Sequence, residues 1–198
     1  MPRIRPGLPD YLAPGLSILF VGINPGLRSS EVGHHYAGHS NRFWKLLFEA
    51  GLVPHRLTCQ DDGRLLDYGY GLTNLIAKPT PGIQDLVKQD FLRGRQALVA
   101  KIKKYQPAIV AVLGISVARV LFPTKRSDPS GKRLADFSVQ TGLLPVFLAG
   151  ARVFVLPNPS GRNAHYSYQH MKDLFSQLKG VSLQSPQSVM HSPILSIR

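Results

Sequence analysis

Cysteine is almost missing from this chain: Cys59 is the only one in 198 residues. A single thiol excludes an internal disulfide framework, a cysteine-ligated iron–sulfur cluster and a cysteine-rich zinc site. It accords with a reducing compartment. No apolar run is long enough to cross a bilayer, and Arg3 and Arg5 are followed by no apolar stretch that would make a secretory signal. Neither a Gly-x-x-x-x-Gly-Lys-Ser/Thr phosphate loop nor a Gly-x-Ser-x-Gly nucleophile elbow occurs. His34 and His35 are adjacent, a poor spacing for one metal, and no second ligand cluster supports them. No metal and no organic cofactor are expected. Acidic residues are also scarce: 11 Asp plus Glu stand against 24 Lys plus Arg, for a formal net charge of +13. That excess attracts polyanions, and nucleic acid is the expected partner. A membrane surface fits less well, because no helix opposes a basic face to a strongly apolar one.

What is present reads as one α/β domain, a central, mainly parallel sheet flanked by helices. Residues 1–16 are rich in Pro and Gly and form an N-terminal arm. The apolar runs at 17–21, 108–113 and 152–156 have the composition of buried strands. A shorter strand-like piece spans 69–76. Asn41 is placed to cap a helix reaching Ala50, in which Phe43, Trp44, Leu47 and Phe48 share one face. Asp90 can cap a second helix, with Phe91, Leu98, Ile102 and Tyr105 near one face. A short helix covers 115–121, and a last one carries Met171, Leu174, Phe175 and Leu178 and ends near Gly180. The segments 28–36 and 53–71 read as polar loops, with Asp61-Asp62 a solvated turn, and 123–136 as a basic loop. The domain is expected over 17–180, and 181–198 as a disordered tail rich in Ser, Pro and Gln.

Right-handed crossovers would bring the turns after the strands to one edge of the sheet, where ligands of open α/β folds sit. Two of those turns contain Asn-Pro: Gly22-Ile23-Asn24-Pro25-Gly26-Leu27 and Pro157-Asn158-Pro159-Ser160-Gly161-Arg162-Asn163. Either can be an Asx-type turn and nothing more. The chemical alternative is specific. An amide cannot act as a general base, but its carbonyl oxygen can accept a hydrogen bond from a water and aim it. That suffices where the leaving group departs first, as when a sugar–base bond breaks through an oxocarbenium-like cation. Backbone N–H groups at a Gly-rich turn can then stabilise the departing pyrimidine anion. Tyr36 can stack on an extruded base and Asn74 can read its polar edge.

These residues carry a family resemblance. Gly22 to Leu27, Gly33-His34-His35-Tyr36, Asn41-Arg42-Phe43-Trp44-Lys45, Gly71-Leu72-Thr73-Asn74, Thr80-Pro81-Gly82, Lys104-Tyr105-Gln106-Pro107 and Pro157 to Arg162 occur in the family's order over about residues 15–180. The set resembles the mismatch-specific uracil/thymine DNA glycosylases, a branch of the uracil-DNA glycosylase superfamily. The resemblance implies a monofunctional, cofactor-free enzyme that flips out uracil, and thymine, mispaired with guanine and leaves an abasic site for base excision repair. It makes Asn24 the residue that orients the water. Gly22, Ile23, Pro25 and Gly26 become pocket backbone, Tyr36 the stacking aromatic, His35 its neighbour and Asn74 a base contact. Asn158, Pro159, Ser160, Gly161, Arg162 and Asn163 become the loop that enters the duplex, with Arg162 the wedge and Gly161 and Asn163 facing the orphaned guanine.

Two departures bear on subtype. Several bacterial members carry lysine where this chain has Asn74, which favours the thymine-excising type. Asn158-Pro159 agrees instead with bacterial members, whereas the thymine-excising animal enzymes have serines there. Two alternatives stay open: a uracil-DNA glycosylase with another damage preference, such as hypoxanthine or ethenocytosine, and a non-catalytic mismatch-binding module. Double-stranded DNA with a G·U or G·T mismatch is the expected partner. A monomer is expected, in the cytoplasm at the nucleoid of a bacterium or in the nucleus of a eukaryote. The charge generates a prediction. Duplex affinity should fall steeply between 50 and 200 mM salt in a fluorescence-anisotropy titration, with a log–log slope of about −0.9 for each phosphate neutralised. A flat response would remove the electrostatic argument.

Overall fold

The computed structural model describes residues 7–122 and 138–184, together with the backbone of 195–197. The basic loop expected at 123–136 lies outside the described residues. The strands are β1 (Ile18–Gly22), β2 (Tyr70–Asn74), β3 (Ile109–Leu113), β4 (Gly142–Leu148), β5 (Ala151–Leu156) and β6 (Leu195–Ile197). They form one sheet in the order β2-β1-β3-β5-β4-β6. β2, β1, β3 and β5 are parallel, β4 is antiparallel to β5, and β6 runs parallel to β4. The helices are α1 (Leu27–Val32), α2 (Phe43–Glu49), α3 (Lys88–Tyr105), α4 (Ile115–Leu121) and α5 (Tyr168–Ser182), joined by 3₁₀ segments at Cys59–Tyr68 and Ile83–Asp85. The expected α/β architecture is therefore the one the chain forms.

Strand periodicity divides the core into two faces. Ile18, Phe20, Ile109, Ala111 and Phe154 pack with Phe43, Leu46 and Leu47 of α2 and Met171, Phe175 and Leu178 of α5. Their neighbours Leu19, Val21, Val110, Val112 and Val153 pack with Leu98 and Ile102 of α3 and Val117 and Leu121 of α4. Both sides of β1, β3 and β5 are buried, which is why those strands read as unbroken apolar runs. Phe20, Phe43, Phe154 and Phe175 lose essentially all exposure. Each contributes about 1.5–3 kcal/mol by that burial.

The structure corrects several expectations. β4 has no counterpart in the sequence reading. Its Pro145 lowers the strand signal, and burial alternates along it instead of running continuous. The proline falls where the β4–β5 register slips, between Leu144 and Phe147. The segment 28–36 is not all loop. Its first part is α1, too short to show periodicity, closed by Gly33 in the left-handed conformation (φ 80°). The segment 53–71 contains the ten-residue 3₁₀ stretch Cys59–Tyr68, started by a reciprocal cap in which Asp61 Oδ2 accepts from the Thr58 amide at 3.0 Å and its hydroxyl at 2.8 Å. Asp62 is not solvated: it is 1% exposed. On α2, Leu46 is buried while Phe48 is 40% exposed. The α2 N-cap is Arg42, yet Asn41 Oδ1 still accepts from the Phe43 amide at 3.0 Å. α3 starts before Asp90, whose carboxylate accepts from the Val87 amide at 3.1 Å and so caps from inside the first turn. α5 continues to Ser182, and β6 draws 195–197 onto β4.

The N-terminal arm closes over the outer edge of β2. Tyr11 and Leu72 exchange backbone hydrogen bonds of 2.9 and 3.0 Å, and Gly15 donates to the Tyr105 carbonyl at 2.8 Å. Asp10 accepts from the Thr73 hydroxyl and pairs with Lys101, both at 2.6 Å. This covering removes an open sheet edge beside the sequence motifs.

Glycine tolerance follows from these contacts. A Cβ on Gly94 of α3 would run into the Leu75 carbonyl oxygen, whereas one on Gly180 of α5 would meet nothing within 4 Å. Gly180→Ala should raise stability by up to about 1 kcal/mol, the helix-propensity gain. Gly94→Ala should instead lower it by about 1–3 kcal/mol. Urea midpoints of the two variants check the opposite signs.

Candidate active site

Because β1, β2, β3 and β5 are parallel, the turns that follow them share one edge. Those turns carry Asn24, Asn74, Gly114 and Asn158. The β1 and β2 extensions stay zipped past the sheet, with Leu75 N–H on the Gly22 carbonyl and Ile76 N–H on the Ile23 carbonyl, both at 2.8 Å. Thr80 N–H then reaches the Pro25 carbonyl at 3.2 Å. The loop after β2 is therefore folded back onto the Asn-Pro-Gly turn.

That fold-back clamps Asn24. Its Nδ2 donates to Thr80 Oγ1 at 2.7 Å, to the Lys78 carbonyl at 3.0 Å and to the Pro25 carbonyl at 3.3 Å. The carbonyls can only accept, so the group facing them is the NH₂. Thr80 is 5% exposed and its own proton goes to the Gly82 carbonyl at 2.7 Å, which leaves its lone pairs for Asn24. The amide is fixed in one orientation. Its Oδ1 has no hydrogen-bond partner among the described residues. An Asx turn would use that oxygen for a nearby backbone N–H. Asn158 does so: its Oδ1 accepts from the Ser160 amide at 3.0 Å. The two Asn-Pro turns look alike in sequence and differ in chemistry. One amide oxygen is consumed by the backbone and the other is left for a ligand.

Behind Asn24, Gly22 and Asn74 are register partners at the ends of β1 and β2. A Cβ on Gly22 would lie 2.5 Å from Asn74 Oδ1 and 3.1 Å from the Tyr36 hydroxyl. Any side chain at Gly22 would displace those two groups, which converge on the same spot. Tyr36 has a left-handed backbone (φ 53°), and its ring centroid lies 4.1 Å from that of Phe43. Its hydroxyl is buried without a partner, and burial pushes its pKa upward. It stays a neutral donor waiting for an acceptor. His35 is 1% exposed and its ring Nε2 donates to the Pro9 carbonyl at 2.8 Å. That bond ties the ring to the arm.

The loop after β5 is stiffened by its own side chains. Asn163 Nδ2 donates to the Asn158 carbonyl at 2.9 Å, Asn163 N–H to the Ser160 carbonyl at 3.0 Å, and Arg42 N–H to the Pro159 carbonyl at 2.9 Å. Gly161 lies against Ser40, where any Cβ would collide with side chain and backbone. Arg162 is exposed, and its guanidinium donates to the Pro81 carbonyl at 3.4 Å. The two Asn-Pro turns thus meet across the loop that clamps Asn24. Local sequence does not single out Thr80 and the Lys78 carbonyl as site groups. Only the motif Pro79-Thr80-Pro81-Gly82 marks the place. A separate apolar groove of about 430 Å³, lined by Lys88, Phe91, Leu92, Arg95 and Val120, contains none of these groups.

Among the described residues no carboxylate hydrogen-bonds to Asn24, Asn74 or Tyr36, and no cluster of His, Cys, Asp and Glu could hold a metal ion. The edge offers one aimed amide oxygen, a buried phenol, a second amide and glycine-lined backbone. Such a set can orient water and hold a planar polar ring; it cannot supply a general base.

A mostly parallel sheet with an amide-bearing turn at its carboxyl edge is common to many α/β proteins, and comparison with known proteins gives the family. Residues 9–179 match the uracil DNA glycosylase superfamily, and the chain belongs to it. The fold resembles the solution structure of a Methanosarcina acetivorans protein described as a putative uracil DNA glycosylase, with a TM-score of 0.59 and 18% identity, over 89% of this chain and 98% of that one. The superfamily acts on DNA and hydrolyses the bond between base and deoxyribose.

His35 generates a prediction about stability. Burial lowers its pKa below the ordinary 6.5. The unfolded chain therefore takes up the proton first, and this contribution is complete above about pH 6.5 and lost as pH falls towards the folded value. The melting temperature should drop between pH 7.5 and 5.5, and drop less in His35→Gln. Equal drops would mean that His35 is not the group responsible.

Proposed function

We propose that this protein is a monofunctional DNA glycosylase that excises uracil, and thymine, mispaired with guanine, leaving an abasic site in base excision repair. The observation that carries the reading is the clamped Asn24, whose Nδ2 is held by Thr80 and Lys78 while Oδ1 is left open. In this mechanism the mispaired nucleotide is extruded, at a cost of a few kcal/mol that is smaller for a mismatch than for a normal pair. The bond between C1′ and the base nitrogen breaks with its electrons passing to the base. Asn24 Oδ1 holds a water against the resulting cationic C1′. The water's oxygen bonds to C1′ and its proton leaves to solvent. No base is needed, because the electrophile is already a cation.

The remaining roles follow from place. Tyr36, expected to stack on the base with its ring, is read instead as a donor, because that ring packs 4.1 Å from Phe43 and its hydroxyl is buried without a partner. With Asn74 it meets the polar edge of the base, and the backbone of 22–26 receives the anionic leaving group. Arg162 fills the gap in the duplex, with Gly161 and Asn163 against the widowed guanine. The net charge of +13 supplies the sequence-independent grip on phosphate. The reading is also monofunctional because Lys78 turns only its carbonyl to Asn24, while its ammonium pairs with Asp90 at 3.8 Å. An abasic-lyase step needs a free amine at the sugar.

Asn24→Ala should lower single-turnover excision from a G·U duplex by about 10²-fold or more, the scale of a lost positioning group. Binding to the same duplex should persist. Unchanged excision would refute the mechanism, and loss of binding alone would favour the mismatch-binding module. Uracil, thymine, hypoxanthine and ethenocytosine, each opposite guanine and scored by alkaline cleavage, give the base preference. Excision of hypoxanthine or ethenocytosine with no uracil or thymine release from guanine mispairs would move the assignment to the other damage class. Arg162→Ala should slow excision from duplex more than from single strands; equal losses would argue against a wedge.

A further inference from the structure

The glycosylase mechanism makes no use of Asp62, a carboxylate only 1% exposed in the 3₁₀ stretch ahead of β2. Every contact it makes is with a donor. Oδ2 accepts from the His35 amide at 2.9 Å. Oδ1 accepts from the Gly63 amide at 2.9 Å and lies 3.2 Å from His34 Nδ1. The Tyr11 phenol lies on the same side of the 3₁₀ stretch, and burial together with the nearby Asp62 carboxylate pushes the Tyr11 pKa up to about 12. The arm, the 3₁₀ stretch and the His34–Tyr36 turn therefore meet at one side chain.

The site is affected through the two peptides that flank His35. The His35 N–H is held by Asp62 and its ring by the Pro9 carbonyl at 2.8 Å, while the His35 carbonyl accepts from Trp44 Nε1 at 3.3 Å. With the peptides on both sides of His35 held, the chain enters Tyr36 along one path, and the φ of Tyr36 is the torsion that takes up the turn. It sits at 53°, a left-handed value that a tyrosine keeps only where its surroundings impose it. This conformation points the Tyr36 hydroxyl at the spot beside Gly22 and Asn74. We propose that Asp62 is a positioning residue for base recognition, holding the His34–Tyr36 turn so that Tyr36 stays in register with Asn74. The proposal rests on the glycosylase reading above.

The test compares wild type, Asp62→Asn, Asp62→Ala and Asp61→Ala. Asp62→Asn replaces one acceptor oxygen by an NH₂, which would face one of the backbone donors. Asp61→Ala removes the Thr58 cap on the same 3₁₀ stretch without touching His34, His35 or Tyr36, so it reports loss of stability alone. Single-turnover excision from a G·U duplex is measured below each variant's melting transition. Affinity is measured for a duplex carrying a tetrahydrofuran abasic analogue, which puts no base in the pocket. The expected result is excision slowed by about 10²-fold in the Asp62 variants, with analogue affinity within about twofold of wild type and Asp61→Ala close to wild type in both. Equal effects of Asp61→Ala and Asp62→Asn on excision would overturn the proposal, as would parallel losses of excision and analogue affinity. If neither Asp62 variant folds, the residue is a folding anchor and the proposal is likewise overturned. Absence of uracil release by the wild type is a different result and strikes the glycosylase reading itself.

Discussion

The structure depends on holding one carboxamide by its nitrogen. An asparagine free to rotate offers water a donor as readily as an acceptor, and its catalytic value is then small. Here Thr80 and the Lys78 carbonyl take the NH₂ of Asn24, and Thr80 is committed as an acceptor because its own proton is on Gly82. The orientation is settled before any substrate arrives, which is the condition for positioning to lower a barrier. Fixing the loop after β2 against the turn after β1 is what the zipped backbone of residues 22–25 and 75–80 accomplishes.

The rest of the fold serves that arrangement. Parallel strands put four turns on one edge, and burial of both sheet faces makes the edge rigid. The arm covers β2 from outside through Tyr11 and reaches the His35 ring beside Tyr36 through Pro9. The loop after β5 is self-braced and bridges to the Asn24 clamp through Arg162 and Pro81. Loops in which side chains satisfy backbone groups keep their shape when one side faces a ligand.

The strands β1, β3 and β5 and the edge carrying the motifs are legible in the sequence because buried parallel strands are unbroken apolar runs ending in Gly or Pro. β4 is not legible, since its Pro145 and alternating burial give a weak signal that only pairing with β5 resolves. Local sequence does not separate Asn24 from Asn158. What distinguishes them comes from partners 54 and 56 residues away. Asp62 is hidden for a related reason: beside Asp61 in a polar stretch it looks solvated, and its burial is imposed by Tyr11, His34 and His35.

The most direct test of the central claim is a crystal structure of the protein on a duplex carrying a non-cleavable 2′-fluoro uridine opposite guanine. The account predicts an extruded uracil, Asn24 Nδ2 still on Thr80 and Lys78, and one ordered water between Asn24 Oδ1 and C1′. An Asn24 carboxamide that has rotated to bond the base or the backbone through Oδ1, with no water facing C1′, would contradict it.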